Sequence, residues 1–260
     1  MTEVTGELAA LLALAEGVIW AAALAFVRLG AMVALMPGFG EQAVPTRIKL
    51  ALVLAFTLVV TPPLADTVAS SGPVPSLAAL GGEAIAGLIL GLGMRLFLLA
   101  LQTAAMIIAQ TSTLSQLFAG AAPEPQPAIG NLFLIAGAAL ALAAGLHVRA
   151  AELALLSYDI LPAGGYADAR AAADWNLALA SRTFALAFSL AAPFLVASTI
   201  YNLALGAINR AMPQLMVAMV GAPALTLGAI ALLAVNTPFL LALWLQVFQA
   251  YLADPLGPPP

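Results

Sequence analysis

The sequence predicts an all-α, polytopic membrane-type protein with about six apolar helical segments broken by Pro and Gly. Three observations carry that reading. Hydrophobic residues make up 63% of the 260-residue chain and charged residues only 8%, where a soluble domain carries about a quarter charged residues. Mean hydropathy is +1.07, so there is too little polar surface to cover a globule in water. Apolar runs of bilayer-spanning length also recur, separated by short polar joints. No stretch is long and polar enough for a separate soluble domain, so residues 1–260 read as one integral-membrane unit.

The first run, Leu8–Met36, is longer than a bilayer core requires at 1.5 Å per residue and must tilt, bend or project. Glu3 and Glu7 stand ahead of it, where a signal peptide carries Lys or Arg, and the segment is expected to be retained. Pro37 ends the run. A Gly- and Pro-punctuated connection through Pro45 leads past Arg47 and Lys49 into a short second run, Ile48–Val60, expected to stop at Pro62-Pro63. Asp66–Pro75 reads as a polar loop.

Leu77–Ala109 is the third run. Its Gly87–Gly91 spacing makes either a smooth strip for a neighbouring helix or simply part of an Ala- and Gly-rich composition. Gln110–Gly130 opens with hydroxyl and amide residues and continues through Pro123, Pro125 and Pro127, whose alternation forbids a helix. Asn131–Leu146 is the fourth run. The polar stretch His147–Asp174 follows, with Asp174 as the expected N-cap of the next helix. Leu177–Leu205 is the fifth run, kinked at Pro193. The Asn209–Pro213 break precedes a last region, Gln214–Tyr251, punctuated by Pro223 and Pro238.

Loop Lys and Arg place the Arg47/Lys49 and Arg210 connections in the cytoplasm if the N-terminus is outside, by three basic residues against two. The eight basic residues are scattered and the net charge is −4, which argues against nucleic-acid binding. There is no cysteine, hence no disulfide, thiolate metal site or cysteine nucleophile. The single histidine rules out a two-histidine metal helix, and neither a nucleophile elbow nor a phosphate loop occurs. Ser70 or Ser71 with His147 is the one conceivable hydrolase pair, but nothing in the sequence brings them together. No catalytic residue, cofactor or metal is expected.

Arg28, Glu83, Arg95 and Arg182 fall within apolar runs. Each costs at least ~2.5 kcal/mol at a bilayer centre unless paired or hydrated. They form either a polar path or proton relay, or internally satisfied structure such as an Arg28–Glu83 pair, or contacts inside an assembly.

Three stretches, in order, resemble one family. The hairpin Arg28…Pro37…Pro45-x-Arg47 resembles the N-terminal signature of the flagellar biosynthesis protein FliR family, which includes injectisome homologues. Ser157-Tyr158-Asp159-Ile160-Leu161-Pro162-Ala163-Gly164 resembles the segment after its fourth helix. Asn209-Arg210-Ala211-Met212-Pro213-Gln214-Leu215 with Val220-Gly221-Ala222-Pro223 resembles its C-terminal signature.

The resemblance implies a non-catalytic subunit of the type III export gate of the flagellar basal body in the bacterial inner membrane. The implied partners are FliP- and FliQ-like subunits, FlhB- and FlhA-like components and unfolded protein substrates. It implies a FliP-like part over 1–174, a FliQ-like helical hairpin over 175–253 and a flexible tail over 254–260. The gate is expected to stand largely above the membrane plane, with neighbouring subunits as the solvent of its charged helices. By position, Gln110–Gly130 would be the pore plug, with Leu117 and Phe118 as apolar stoppers and Ser115 and Gln116 as a wettable surface. The Pro123–Pro127 run departs from the family pattern. Arg28, Glu83, Arg95 and Arg210 are the expected buried or interface charges, and Pro37, Pro45, Arg47 and Pro213 mark the signatures. An injectisome gate and an autonomous small-solute transporter coupled through Glu83 and Arg95 are the alternatives.

Overall fold

The structure is a computed structural model that describes residues 2–71, 75–113, 128–212 and 217–255. Among the described residues there are seven α-helices and no strand: α1 (Thr2–Leu35), α2 (Thr46–Ser71), α3 (Leu77–Thr113), α4 (Ala128–Ala143), α5 (Leu146–Ile160), α6 (Ala169–Ala211) and α7 (Val217–Ala253). Five of them are long and apolar enough to cross a membrane, and α4 with α5, bent by 70° at the break between them, reach that length and apolarity only as a pair. An all-α polytopic membrane protein is thus what the chain builds.

Several boundaries differ from expectation. Pro62-Pro63 do not end the second helix, which runs on to Ser71; Pro193, expected inside its run, lies within α6, and Pro223 and Pro238 lie within α7. A proline removes one amide and crowds one carbonyl, a loss that neighbouring helices, hydroxyl side chains and local adjustment of the helix make good. The expected polar loop from Asp66 is helical as far as Ser71. The stretch after His147 is not a loop: α5 starts once Gly145 adopts a left-handed φ of 84°. Asp168 rather than Asp174 caps α6, its carboxylate accepting the Ala171 amide at 2.8 Å.

Two compact units interleave along the chain. The first holds α1, α2, α3 to Arg95, residues 141–179 and residues 252–259. Here α1 ends at Leu35, two residues before Pro37. The Gly40 amide donates to the Met36 carbonyl at 2.7 Å, and a Cβ at Gly40 would lie 2.6 Å from the Ala34 carbonyl. The hairpin closes with Lys49 Nζ donating to the Gly40 carbonyl at 3.2 Å, and α2 packs on α1. α3 lies against α1 through its glycine strip. A Cβ at Gly87 would run into the Arg28 carbonyl, and one at Gly91 would sit 2.7 Å from the Met32 carbonyl. The packing reading of Gly87–Gly91 is therefore the right one.

The second unit comprises residues 96–140 and 180–251. Its centre is aromatic. Trp244, fully buried, stacks on Phe248 with centroids 5.2 Å apart and donates its indole N–H to the Phe97 carbonyl at 2.8 Å. Phe97 in turn touches Phe248 and Tyr251. Gly137 leaves room for the Leu101 side chain beside that tryptophan.

Candidate functional site

The most polar feature of the interior lies in the first unit. Arg28 on α1 and Glu83 on α3 are both completely buried. Neither could be placed there alone, because an unpaired buried charge costs several kcal/mol. The guanidinium meets the carboxylate in a fork, Nε to Oε2 at 2.7 Å and Nη2 to Oε1 at 3.3 Å. Nη1 donates to Ser157 Oγ at 2.9 Å, and Nη2 also donates to the Leu161 carbonyl at 2.8 Å. A planar five-donor group can serve partners in these different directions, which a lysine ammonium cannot match.

Glu83 is satisfied as fully. The Gly164 amide donates to Oε1 at 2.6 Å and the Tyr158 hydroxyl to Oε2 at 3.2 Å. The Tyr158 ring also lies under the guanidinium, 3.6 Å from centroid to Cζ, a cation–π contact. Ser157 donates its own proton to the Ala154 carbonyl at 2.6 Å. Gly164 adopts a φ of 69°, which turns the chain so that its amide reaches Glu83. A Cβ at Gly82 would lie 2.5 Å from the Gly165 carbonyl, and the Tyr166 hydroxyl donates to the Ala78 carbonyl at 2.8 Å. The α5–α6 connection is thereby stapled along the start of α3.

Next to this cluster lies an apolar cavity of about 240 Å³, lined by Ile89 and Leu90, by Ser157 and Leu161, and by Asp168 and Trp175 near the start of α6. Among the described residues no group of His, Cys, Asp and Glu could hold a metal ion. The arrangement is a lock: every charge has a counter-charge and hydrogen bonds, and none is left for a passing solute.

The remaining expected residues are dispersed. Arg95 pairs with Glu41 of the α1–α2 connection, both about three-quarters buried. Arg182 is half-buried on α6, whereas Arg210 is exposed on its last turn. Pro37 is buried; Pro45 and Arg47 are exposed beside the start of α2. His147 is exposed on the first turn of α5, while Ser70 and Ser71 close α2. Pro213 and the plug residues Ser115, Gln116, Leu117 and Phe118 lie outside the described residues.

Two of the three resembling stretches, around Arg28 and from Ser157 to Gly164, converge on this one cluster. A sequence profile for "Bacterial export proteins, family 1" matches residues 19–251, a span that contains every member of it. The chain belongs to this export protein family. Curated relatives agree along nearly the whole length. The flagellar biosynthetic protein FliR of Caulobacter vibrioides is 34% identical over 241 residues, covering 90% of this chain and 95% of that one. FliR of Escherichia coli is 30% identical over 237 residues, with 88% and 89% covered, and FliR of Pectobacterium carotovorum 32% over 238, with 88% and 90%. The export family is thus reached from motifs and from whole-chain similarity alike.

Within this export-family chain, the roles of Ser157, Tyr158 and Gly164 escape sequence reasoning. Their only signal is membership of the second resembling stretch. That a backbone amide completes the carboxylate's shell cannot be read from residue type at all.

Proposed function

We propose that this chain is a subunit of the flagellar type III export gate, assembling with FliP- and FliQ-like subunits into the channel through which unfolded flagellar proteins leave the cell. The observation that carries this reading is similarity to proteins named flagellar biosynthetic protein FliR over about nine-tenths of the chain. On this reading residues 1–174 correspond to a FliP-like part and 175–253 to a FliQ-like hairpin. FlhB- and FlhA-like components adjoin the gate, which sits in the inner membrane at the basal body. The chain acts by gating rather than catalysis. The 110–130 loop plugs the pore, Leu117 and Phe118 excluding water from a narrow neck and Ser115 and Gln116 wetting it once open.

The buried cluster fits a gate subunit better than a transporter. Glu83 is held by Arg28, Tyr158 and Gly164, and Arg95 is held by Glu41, so neither offers a free coupling group. The injectisome alternative gains no support from relatives that are all named flagellar.

The test is co-expression with FliP- and FliQ-like subunits, mild detergent extraction and native mass spectrometry. One stable hetero-oligomer containing this chain is expected. A monomer or homodimer indifferent to both partners, together with solute flux from the purified chain, would overturn the proposal.

A further inference from the structure

The apolar cavity beside the Arg28–Glu83 cluster borders the far end of the described chain. Its wall is wholly apolar, because the polar groups that line it are engaged elsewhere. The Ser157 hydroxyl serves Arg28 and the Ala154 carbonyl, and the Asp168 carboxylate caps α6. A space of this kind stays dry. Asp168, Arg170 and Asp174 are exposed along the first turns of α6, so a lipid chain entering here would pass charged side chains. A better filler is an apolar side chain that the polypeptide itself delivers.

The chain carries one within reach. α7 ends at Ala253, and Leu252 and Pro255 are buried in the same unit as the cavity. Trp175, part of the cavity wall, donates its indole N–H to the Pro255 carbonyl at 3.2 Å. Standard peptide dimensions then keep the Leu256 Cα within about 6 Å of that indole nitrogen. Residues 256–260 lie outside the described residues. Leu256 is the one large apolar side chain among them, followed by Gly257 and three prolines. Deleting a leucine side chain from a core leaves a cavity of about 150 Å³, so a cavity of about 240 Å³ has room for one.

We infer that this cavity is the docking site of Leu256, and that the C-terminal segment straps the first unit shut beside its buried ion pair. Ser157 and Leu161 line the cavity and also hold the guanidinium, through their hydroxyl and carbonyl. A filled cavity keeps water from these two contacts; an empty one opens a path to them. The strap does not depend on the export-gate reading.

A chain without cysteine allows a direct test. Leu256→Cys is combined with Ala171→Cys or, separately, with Ala172→Cys, both on the cavity wall, in the full chain in membranes. Mild oxidation should give an intramolecular disulfide, since a docked tail brings the Cα atoms into the range of about 4.4–6.8 Å that the bond needs. The single variant Leu256→Cys should react with a maleimide at least about tenfold more slowly than His147→Cys, whose position is exposed. Failure of both pairs to close, a disulfide between two copies, or labelling as fast as at position 147 would overturn the inference. So would a lipid that native mass spectrometry finds on the unmodified chain and that Ala171→Phe expels, because it would take the place of Leu256.

The sealing role has its own readout. Leu256→Asp should speed hydrogen exchange of the backbone amides in 157–164 by about tenfold or more, while Leu256→Met, which keeps an apolar filler, leaves it slow. Unchanged exchange in the Asp variant, or an equal rise in both, would show that the tail seals nothing.

Discussion

At the scale of single residues, the Arg28–Glu83 cluster sets the sharpest expectation. Removing one partner strands the other, so Glu83→Leu should destabilise the chain by about 3–5 kcal/mol. Thermal unfolding in detergent, followed by tryptophan fluorescence, reads the loss. Adding Arg28→Met should recover part of it, giving a coupling of about 1–3 kcal/mol. Recovery stays incomplete because the Ser157 hydroxyl, the Leu161 carbonyl and the Gly164 amide lose their partners as well. Tyr158→Phe keeps the ring under the guanidinium and loses one hydrogen bond, for a cost of about 1 kcal/mol. Tyr158→Ala should cost more, because the cation–π contact goes too. Equal effects of the two Tyr158 substitutions would show that the ring contributes nothing.

Among elements, α3 is positioned by what it lacks. With Gly87 against the Arg28 carbonyl and Gly91 against Met32, Gly87→Ala must push α3 away from α1 and loosen the fork of hydrogen bonds one turn below. A loss of about 1–3 kcal/mol is expected, together with loss of swimming. Gly228→Ala, with open space around its Cβ, should instead gain up to about 1 kcal/mol from helix propensity. Matching effects at the two sites would refute the packing argument. The helices were legible where apolar runs are long, and so were the charges that needed partners, because charge within an apolar run demands explanation. Pro62-Pro63 misled because proline is read as a stop, while in a long apolar helix leaving the helical path costs more than losing two amide donors. The α5 helix was hidden because His147, Arg149, Glu152 and Asp159 give it a polar look. They ride on its outer side, while Leu153, Ala154 and Ser157 turn inward.

For the whole molecule, the telling quantity is apolar surface left open. On α6 and α7, Leu203 is 76%, Leu227 68% and Phe239 71% exposed, in helices where little else in the chain covers them. Single exposed leucines mean nothing, but continuous faces mark lipid or partner contact. If partner subunits cover them, backbone hydrogen exchange across 177–253 should slow by at least tenfold between the lone chain in detergent and the assembled complex. Unchanged exchange would assign these faces to lipid. The Arg28–Glu83 pair was among the alternatives read from the sequence, but neither the interleaving of the two units nor the joining of residues 157–164 to that pair was legible beforehand. Both depend on contacts between residues far apart in sequence, which periodicity does not encode.

That separation has a consequence for biosynthesis. Arg28 is made 55 residues before Glu83 and 129 before Ser157. Until Glu83 is made the first helix carries a guanidinium without its counter-charge, and the third then carries a carboxylate with two of its donors, Tyr158 and Gly164, still missing. Neither is comfortable in hydrocarbon until the ribosome has delivered residue 164. The lock can snap shut only when some three-fifths of the polypeptide exists. Chain growth itself thus sets an order within the cluster: the last ligand of the buried carboxylate to be synthesised is the Gly164 amide.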